Sequence, residues 1–335
     1  MISADDATGS GGDVPAGRVE LHTHLEGSVT PDRLRQLADR HGEPGLAAAC
    51  LSADGGAYHF AGFHGFLDLF KKVTFVMRGP ADFHAVAVDL GRQLRADLVD
   101  YAEVTVSYGV LQKRGIAPLP VQAALAEAAV EVREKYGVAL RWVPDAVRQW
   151  GLDPAWRAFE AAAAAGRALG VVGFGLGGDE TAGPAADFAP LFRSVRSEGL
   201  GVTIHAGEIP AMGPAALESV RQAVDDCGAD RIGHGLAAAA DPAVMELLAS
   251  RNIFVELCPG SNLRTGGIAT WADHPLRMFL DRKVACCLNT DDRTFFDLDL
   301  SGEYGRAAVH AAVTADEMAD MQKAARKAAF GDPEI

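Results

Sequence analysis

Val202-Thr203-Ile204-His205-Ala206-Gly207-Glu208 carries the reading of the fold. Its first three residues form a short β-rich apolar run, and a turn containing glycine and titratable groups follows. Beyond the turn, Pro214–Cys227 is an amphipathic stretch with proline in the first helical turn, where a missing N–H costs nothing. Strand, turn and helix in that order make one βα unit.

The pattern extends in both directions. Strands are expected at Arg18–Leu21, Tyr101–Val106, Ala139–Val143, Val171–Leu176, Val202–Ile204, Arg231–Gly233, Phe254–Leu257 and Val284–Leu288. Helix-like segments such as Pro120–Tyr136, Pro154–Ala168, Pro214–Cys227, Pro242–Arg251 and His274–Arg282 lie between them. Eight strands with intervening helices imply parallel βα units closed into a distorted (β/α)8, TIM-type barrel. An open doubly wound sheet is the alternative. Its dinucleotide-binding version requires a Gly-x-Gly-x-x-Gly turn after the first strand, which this sequence lacks.

The 335 residues, 49% hydrophobic, are enough to bury a large core. We expect residues 1–17, small, acidic and Gly-rich, to be a disordered leader, and 18–330 to form a single barrel domain. The stretch from Pro31 to Pro80 is too long for a simple connection. It carries Tyr58, Phe60, Phe63, Phe66, Phe70 and Phe75, so extra helices over the barrel mouth are expected.

A formal net charge of −14 argues against a sequence-independent grip on nucleic acid, which depends on basic surfaces that release counterions. Five scattered cysteines without a C-x-x-C pair give neither a disulfide framework nor a cysteine zinc knuckle. No apolar run approaches a membrane span of about 20 residues, and a cytoplasmic location fits best.

In such a barrel, catalytic groups belong at the C-terminal ends of the strands. Strand one ends Leu21-His22-Thr23-His24, and alternation along an extended backbone points both imidazoles the same way, so they can share one ion. Strand five supplies His205 and then Glu208, strand six His234 between glycines, and strand eight the pair Asp291-Asp292. A lone buried His is commonly just hydrogen-bonded, and a strand-end Asp often caps the next helix. Four such motifs at four strand ends mark a site. Three imidazoles and a carboxylate suit zinc, although iron or manganese can bind the same set. A bridging lysine for two metals on strands four to seven is excluded, because no lysine occurs between Lys135 and Lys283.

Leu21-His22-Thr23-His24-Leu25-Glu26-Gly27, Gly177-Gly178-Asp179-Glu180, His205-Ala206-Gly207-Glu208 and Asn289-Thr290-Asp291-Asp292 together resemble the adenosine deaminase family of metal-dependent amidohydrolases. Arg231-Ile232-Gly233-His234-Gly235 and Cys258-Pro259-Gly260-Ser261-Asn262 fall between the last two blocks, also in the family's order. The resemblance runs from about residue 18 to 330.

It implies one zinc ion on His22, His24, His205 and Asp291, with Glu208 near purine N1 and His234 beside the attacking water. It also implies contacts from Asp292 to N7 and from the Gly178 N–H to N3. The expected reaction is hydrolytic deamination of a 6-aminopurine nucleoside, with Glu208, His234 and Asp292 as the catalytic set. The His-x-Glu and Pro-Cys-x-x-Cys signature of other zinc deaminases is absent, and Cys258 reads as a buried structural residue.

Two positions depart from the adenosine-deaminase pattern. Glu26 stands where an aspartate commonly contacts the ribose 5′-hydroxyl, and Arg293 stands where proline is common. Arg148 and Arg264 are candidates to reach an anionic extension such as the benzoate of aminodeoxyfutalosine, against the bland reading of solvated surface arginines. Adenine as the free base is an alternative substrate, since related adenine deaminases often carry Glu at the position of Glu26. A hydrolase of a cyclic amide or lactone would share the metal chemistry, and a catalytically silent purine-binding barrel would share the fold without the reaction.

Overall fold

The computed structural model describes residues 17–334. The expected leader lies outside the described residues except for Gly17.

Eight parallel strands run in chain order around one sheet: β1 (Arg18–His24), β2 (Val99–Val106), β3 (Ala139–Val147), β4 (Gly173–Gly177), β5 (Gly201–Ala206), β6 (Arg231–His234), β7 (Phe254–Leu257) and β8 (Cys286–Leu288). Each pairs with its neighbour in parallel register. The ring closes just beyond β8, where Thr23 bridges Asp291. There the His24 N–H donates to the Asp291 carbonyl and the Asp291 N–H to the His22 carbonyl. Asn289 strengthens the seam, its Oδ1 accepting from the N–H groups of Leu21 and His22. The expected barrel is therefore what forms.

The strand boundaries shift for tertiary reasons. β1 continues to His24 and β3 to Val147, because partners in neighbouring strands satisfy their extended backbones. β4 starts at Gly173, since Val171 makes only an isolated bridge to Trp142.

Helices follow the strands as expected, including Pro118–Tyr136, Leu152–Ala165, Pro214–Asp225 and Pro242–Ser250. Between β1 and β2 the chain folds into Pro31–Arg40, Pro44–Cys50, Gly62–Thr74 and Pro80–Ala96. The helix Gly62–Thr74 turns Phe63, Phe66 and Phe70 toward the cavity at the barrel mouth, and Phe66 packs against Phe296 with centroids 5.1 Å apart. No helix among the described residues is long and apolar enough to cross a membrane.

Candidate active site

His22 and His24 on β1, His205 on β5 and Asp291 after β8 each offer one donor atom, and the four atoms lie within 4.8 Å of one another. His24 Nε2 is 3.2 Å from Asp291 Oδ1, His22 Nε2 is 3.4 Å from the same oxygen, and His205 Nε2 is 3.3 Å from His24 Nε2. Bonds of about 2.0–2.1 Å to a tetrahedral ion place donors roughly 3.3 Å apart, so these spacings match a metal's coordination shell. His22 Nε2 is buried with no hydrogen-bond partner, as a lone pair reserved for a cation would be.

Surrounding groups aim these ligands. His22 Nδ1 donates to Glu256 Oε2 at 2.8 Å, His205 Nδ1 faces the Leu176 carbonyl at 3.2 Å, and the Ser261 hydroxyl donates to Asp291 Oδ2 at 2.6 Å. Each such contact leaves Nε2 or Oδ1 available to a metal. Gly233 lets the His22 ring lie against β6, because a Cβ there would stand 2.8 Å from the ring. Asp291 and His234 both occupy the left-handed region, at φ 60° and 63°. Strain of this kind in non-glycine residues concentrates at functional sites.

Burial opposes charge on His22 and His24, but nearby carboxylates outweigh it. In the metal-free chain Asp291 and Glu256 raise His22 to about 9, and Asp292 and Asp291 raise His24 to about 10. Burial also opposes charge on Asp291, yet the adjacent His22 and His24 imidazoles hold it well below the usual carboxylate range. The adjacent Asp292 behaves oppositely. Burial and the charge of Asp291 push it well above that range, and its Oδ1 is buried without a partner.

Glu208 is pushed up to about 8, first by burial and then by the charges of Asp291 and Glu180. His234 Nε2 lies 3.9 Å from both Glu208 Oε1 and Asp291 Oδ2. Its Nδ1 accepts from the Asn262 amide at 3.2 Å, which leaves the ring proton on Nε2, facing the gap between those carboxylates. Burial lowers His234 to about 3, so the ring is a neutral donor.

A cavity of about 380 Å³ opens over these groups. Its floor is His24, His205, Glu208, His234, Asp291 and Asp292, and Gly178, at φ 95°, lies in its wall. Phe63, Phe66, Leu67, Phe70, Val147 and Trp150 make the rest of the wall largely apolar.

The remaining expected residues fall elsewhere. Glu26 does not line the cavity: it is buried, with Oε1 accepting from the Ser107 N–H at 2.9 Å and Oε2 without a partner. The expectation for Arg148 is corrected. Its guanidinium is buried, donates to the backbone carbonyls of Gly183 and His205, and does not line the cavity. Neither a substrate grip nor a solvated surface residue describes it. Arg264 is half-buried over the Phe60 ring, and Arg293 is buried against Asp97 at 2.5 Å. Cys258 is buried, with Sγ grouped near His22 and His234 nitrogens.

Two groups were not singled out by the sequence. Glu180 accepts from three successive N–H groups, of Gly207, Glu208 and Ile209, at 2.5, 3.0 and 3.2 Å, and so holds the loop that carries Glu208. Its place in Gly177-Gly178-Asp179-Glu180 was the available signal. Asp145, on β3, lines the cavity with an unpartnered Oδ1, and burial raises it to about 7. It lies beyond the Val143 end expected for that strand, where the apolar run stops.

A model of the family described as adenosine deaminase matches residues 17–334. The aminodeoxyfutalosine deaminase of Acidothermus cellulolyticus is 38% identical over 297 residues, 87% of this chain and 82% of that protein. The adenine deaminase of Mesorhizobium japonicum is 32% identical over 315 residues, 94% of each chain. An amidohydrolase structure from Burkholderia ambifaria, solved with bound zinc, superposes with a TM-score of 0.83 at 26% identity, over 95% of this chain and 86% of that one. The residues, the barrel and these relatives agree: the chain belongs to the adenosine deaminase family of the metal-dependent amidohydrolase superfamily.

Proposed function

We propose that this protein is a hydrolytic deaminase of a 6-aminopurine nucleoside, acting with a single zinc ion held by His22, His24, His205 and Asp291. The observation that carries the reading is the juxtaposition of that donor set with a carboxyl of raised pKa, Glu208, and a neutral imidazole, His234, beneath an apolar slot.

When bound, the ion supplies Lewis acidity, bringing the pKa of a coordinated water toward about 7. Glu208, protonated near neutrality, gives its proton to purine N1 as oxygen adds to C6; of the two protons the water loses, Glu208 passes one to the departing amine and keeps the other, which restores its starting state. His234 offers its Nε2–H to the oxygen, stabilising charge that develops there. Asp292, kept protonated by burial beside Asp291, donates to N7, and the Gly178 N–H donates to N3. The C6–N bond breaks, ammonia leaves, and C6 keeps the oxygen as a carbonyl.

Adenine as the free base is the second reading. Glu26 accepts from the N–H of the cavity-lining Ser107 and does not itself line the cavity, which favours a substrate that needs no sugar contact from it. With Arg148 committed to backbone carbonyls, Lys71 and His64 are the basic groups left in the wall away from the metal ligands to meet an anionic substituent.

Ammonia release from adenosine, deoxyadenosine, adenine and aminodeoxyfutalosine tests the proposal. A nucleoside should give the highest kcat/KM. Preference for adenine moves the assignment to the free base, and no ammonia from any of the four by the metal-loaded protein overturns the deaminase reading.

A further inference from the structure

The end of the barrel opposite the cavity is closed by the chain's own C-terminal residues. After the helix Ala315–Ala328, Phe330 lays its ring over the guanidinium of Arg231, whose Cζ is 3.6 Å from the ring centroid. β4 and β5 begin with Gly173 and Gly201 at this spot, and a Cβ on either would collide with that ring.

The N–H groups of Phe330 and Gly331 both donate to Glu103 Oε1, at 2.6 and 2.9 Å, and the Tyr101 hydroxyl donates to the same oxygen at 2.7 Å. Arg231 Nη1 meets Glu103 Oε2 at 2.6 Å, and Arg231 Nε meets Glu256 Oε1 at 2.5 Å. The other oxygen of Glu256 accepts from His22 Nδ1 and from the Thr203 hydroxyl. An unbroken run of polar contacts therefore joins the C-terminal segment to His22.

Glu103, Arg231 and Glu256 are each at most 1% exposed. Charge pairs sealed from water this way are stiff, and they loosen where water enters and competes for them. Arg231 Nε and Nη2 and Glu256 Oε1 make no hydrogen bond, so the guanidinium is fixed by its ion pairs to the two carboxylates, the Nη1 bonds to Glu103 and the Ala328 carbonyl, and the ring. An aromatic face on a guanidinium both attracts it and keeps solvent off it.

We propose that Ala329–Gly331 is a positioning plug: it keeps water off Arg231, Arg231 fixes Glu256, and Glu256 holds the His22 ring with Nε2 aimed at the metal. The proposal rests on the reading of His22 as a metal ligand. It extends the site's supporting residues through the barrel to the opposite end of the fold.

The test uses the full chain as wild type, Phe330→Ala, Phe330→Tyr, Glu256→Gln and the Phe330→Ala/Glu256→Gln double variant. Each is stripped of metal and titrated with Zn(II) against a chromophoric chelator and with Co(II) by visible spectroscopy. Loss of an outer-shell partner typically weakens metal binding 10–100-fold, so Phe330→Ala should weaken Zn(II) binding about tenfold and shift the Co(II) bands as Glu256→Gln does. Phe330→Tyr keeps the ring and should restore wild-type affinity. The double variant should bind no more weakly than Glu256→Gln alone, because both act through one route. Leu125→Ala, in the outer helix Pro118–Tyr136, should lose stability without losing affinity.

Wild-type Zn(II) affinity in Phe330→Ala, with binding weakened in Glu256→Gln, overturns the plug and leaves the metal reading intact. Absence of divalent-ion binding by the wild type overturns both. If Phe330→Ala does not fold, Phe330→Leu, which keeps apolar bulk without the aromatic face, is held to the same criterion.

Discussion

Replacing Glu180 by glutamine separates positioning of Glu208 from the chemistry of Glu208 itself. The Glu180 carboxylate is buried and accepts from the N–H groups of Gly207, Glu208 and Ile209. A glutamine keeps one oxygen. Placed where two of those donors converge, that oxygen leaves the new NH2 facing the Gly207 N–H, donor against donor. A hydrogen bond to a charged acceptor contributes roughly 1.5–3 kcal/mol, so losing one and adding a repulsion costs about 2–3 kcal/mol. Expressed as misplacement of Glu208 in the transition state, this is roughly 30–150-fold in kcat. Steady-state ammonia release should show that fall, with metal content by elemental analysis and the circular dichroism spectrum both unchanged. A kcat within about twofold of wild type in a folded, metal-loaded Glu180→Gln protein refutes the reasoning, because removal of a buried charged acceptor is not silent where its donors depend on it.

Glu208→Gln removes the proton shuttle directly and should lower kcat by about 10²–10⁴-fold while one metal per chain is retained; loss of metal from this variant would mean that the residue supports the ion instead. Metal affinity should rise with pH. His22 and His24, raised to about 9 and 10 in the metal-free chain, must release protons to become ligands, so Zn(II) should bind more tightly at pH 8 than at pH 6 in chelator competition. The metal-free chain should show the opposite trend in stability. A folded His22 pKa above the ordinary 6.5 means that the folded state holds more protons, so this contribution to Tm is full below pH 6.5 and lost as pH climbs toward 9. Arg148→Met should destabilise by about 1–3 kcal/mol for each carbonyl it orphans, yet leave the ratio of kcat/KM for anionic and neutral substrates unchanged; a selective loss on aminodeoxyfutalosine would restore Arg148 to the binding site.

The strand-end residues were legible because barrel geometry converts position along a strand into position in space. His22 and His24 lie two residues apart on β1, so they share a face, and strands of similar length bring their C-terminal ends to one rim. The same logic placed His205, His234 and Asp291 from their strands alone. Arg148 was illegible for the complementary reason. Its partners, the carbonyls of Gly183 and His205, lie 35 and 57 residues away, and nothing near position 148 signals that the loop after β4 and the end of β5 converge on it. Glu26 is similar, since the Ser107 N–H that captures its carboxylate sits 81 residues on. Periodicity reports which face a side chain takes, while the identity of the backbone group waiting there is a property of the closed fold.

Asp291 and Asp292 show how far neighbouring positions can diverge once that closure is complete. Both are buried, and in isolation both would tend to neutralise. Asp291 meets His22, His24 and the Ser261 hydroxyl, so its charge is compensated and the carboxylate stays ionised. Asp292 faces the cavity with Asp291 as its nearest charge, and it holds its proton. In the proposed reaction one supplies an anion to a metal, and the other supplies a donor to a neutral ring nitrogen. Glu208 and Asp145 are raised in the same way, to about 8 and 7, so apart from Asp291 the acids lining the cavity away from its rim are biased toward protonation near neutral pH. A slot whose acids carry protons presents donors to the lone pairs of a purine. Burial alone, with no residue dedicated to the task, biases these acids toward the protonated form.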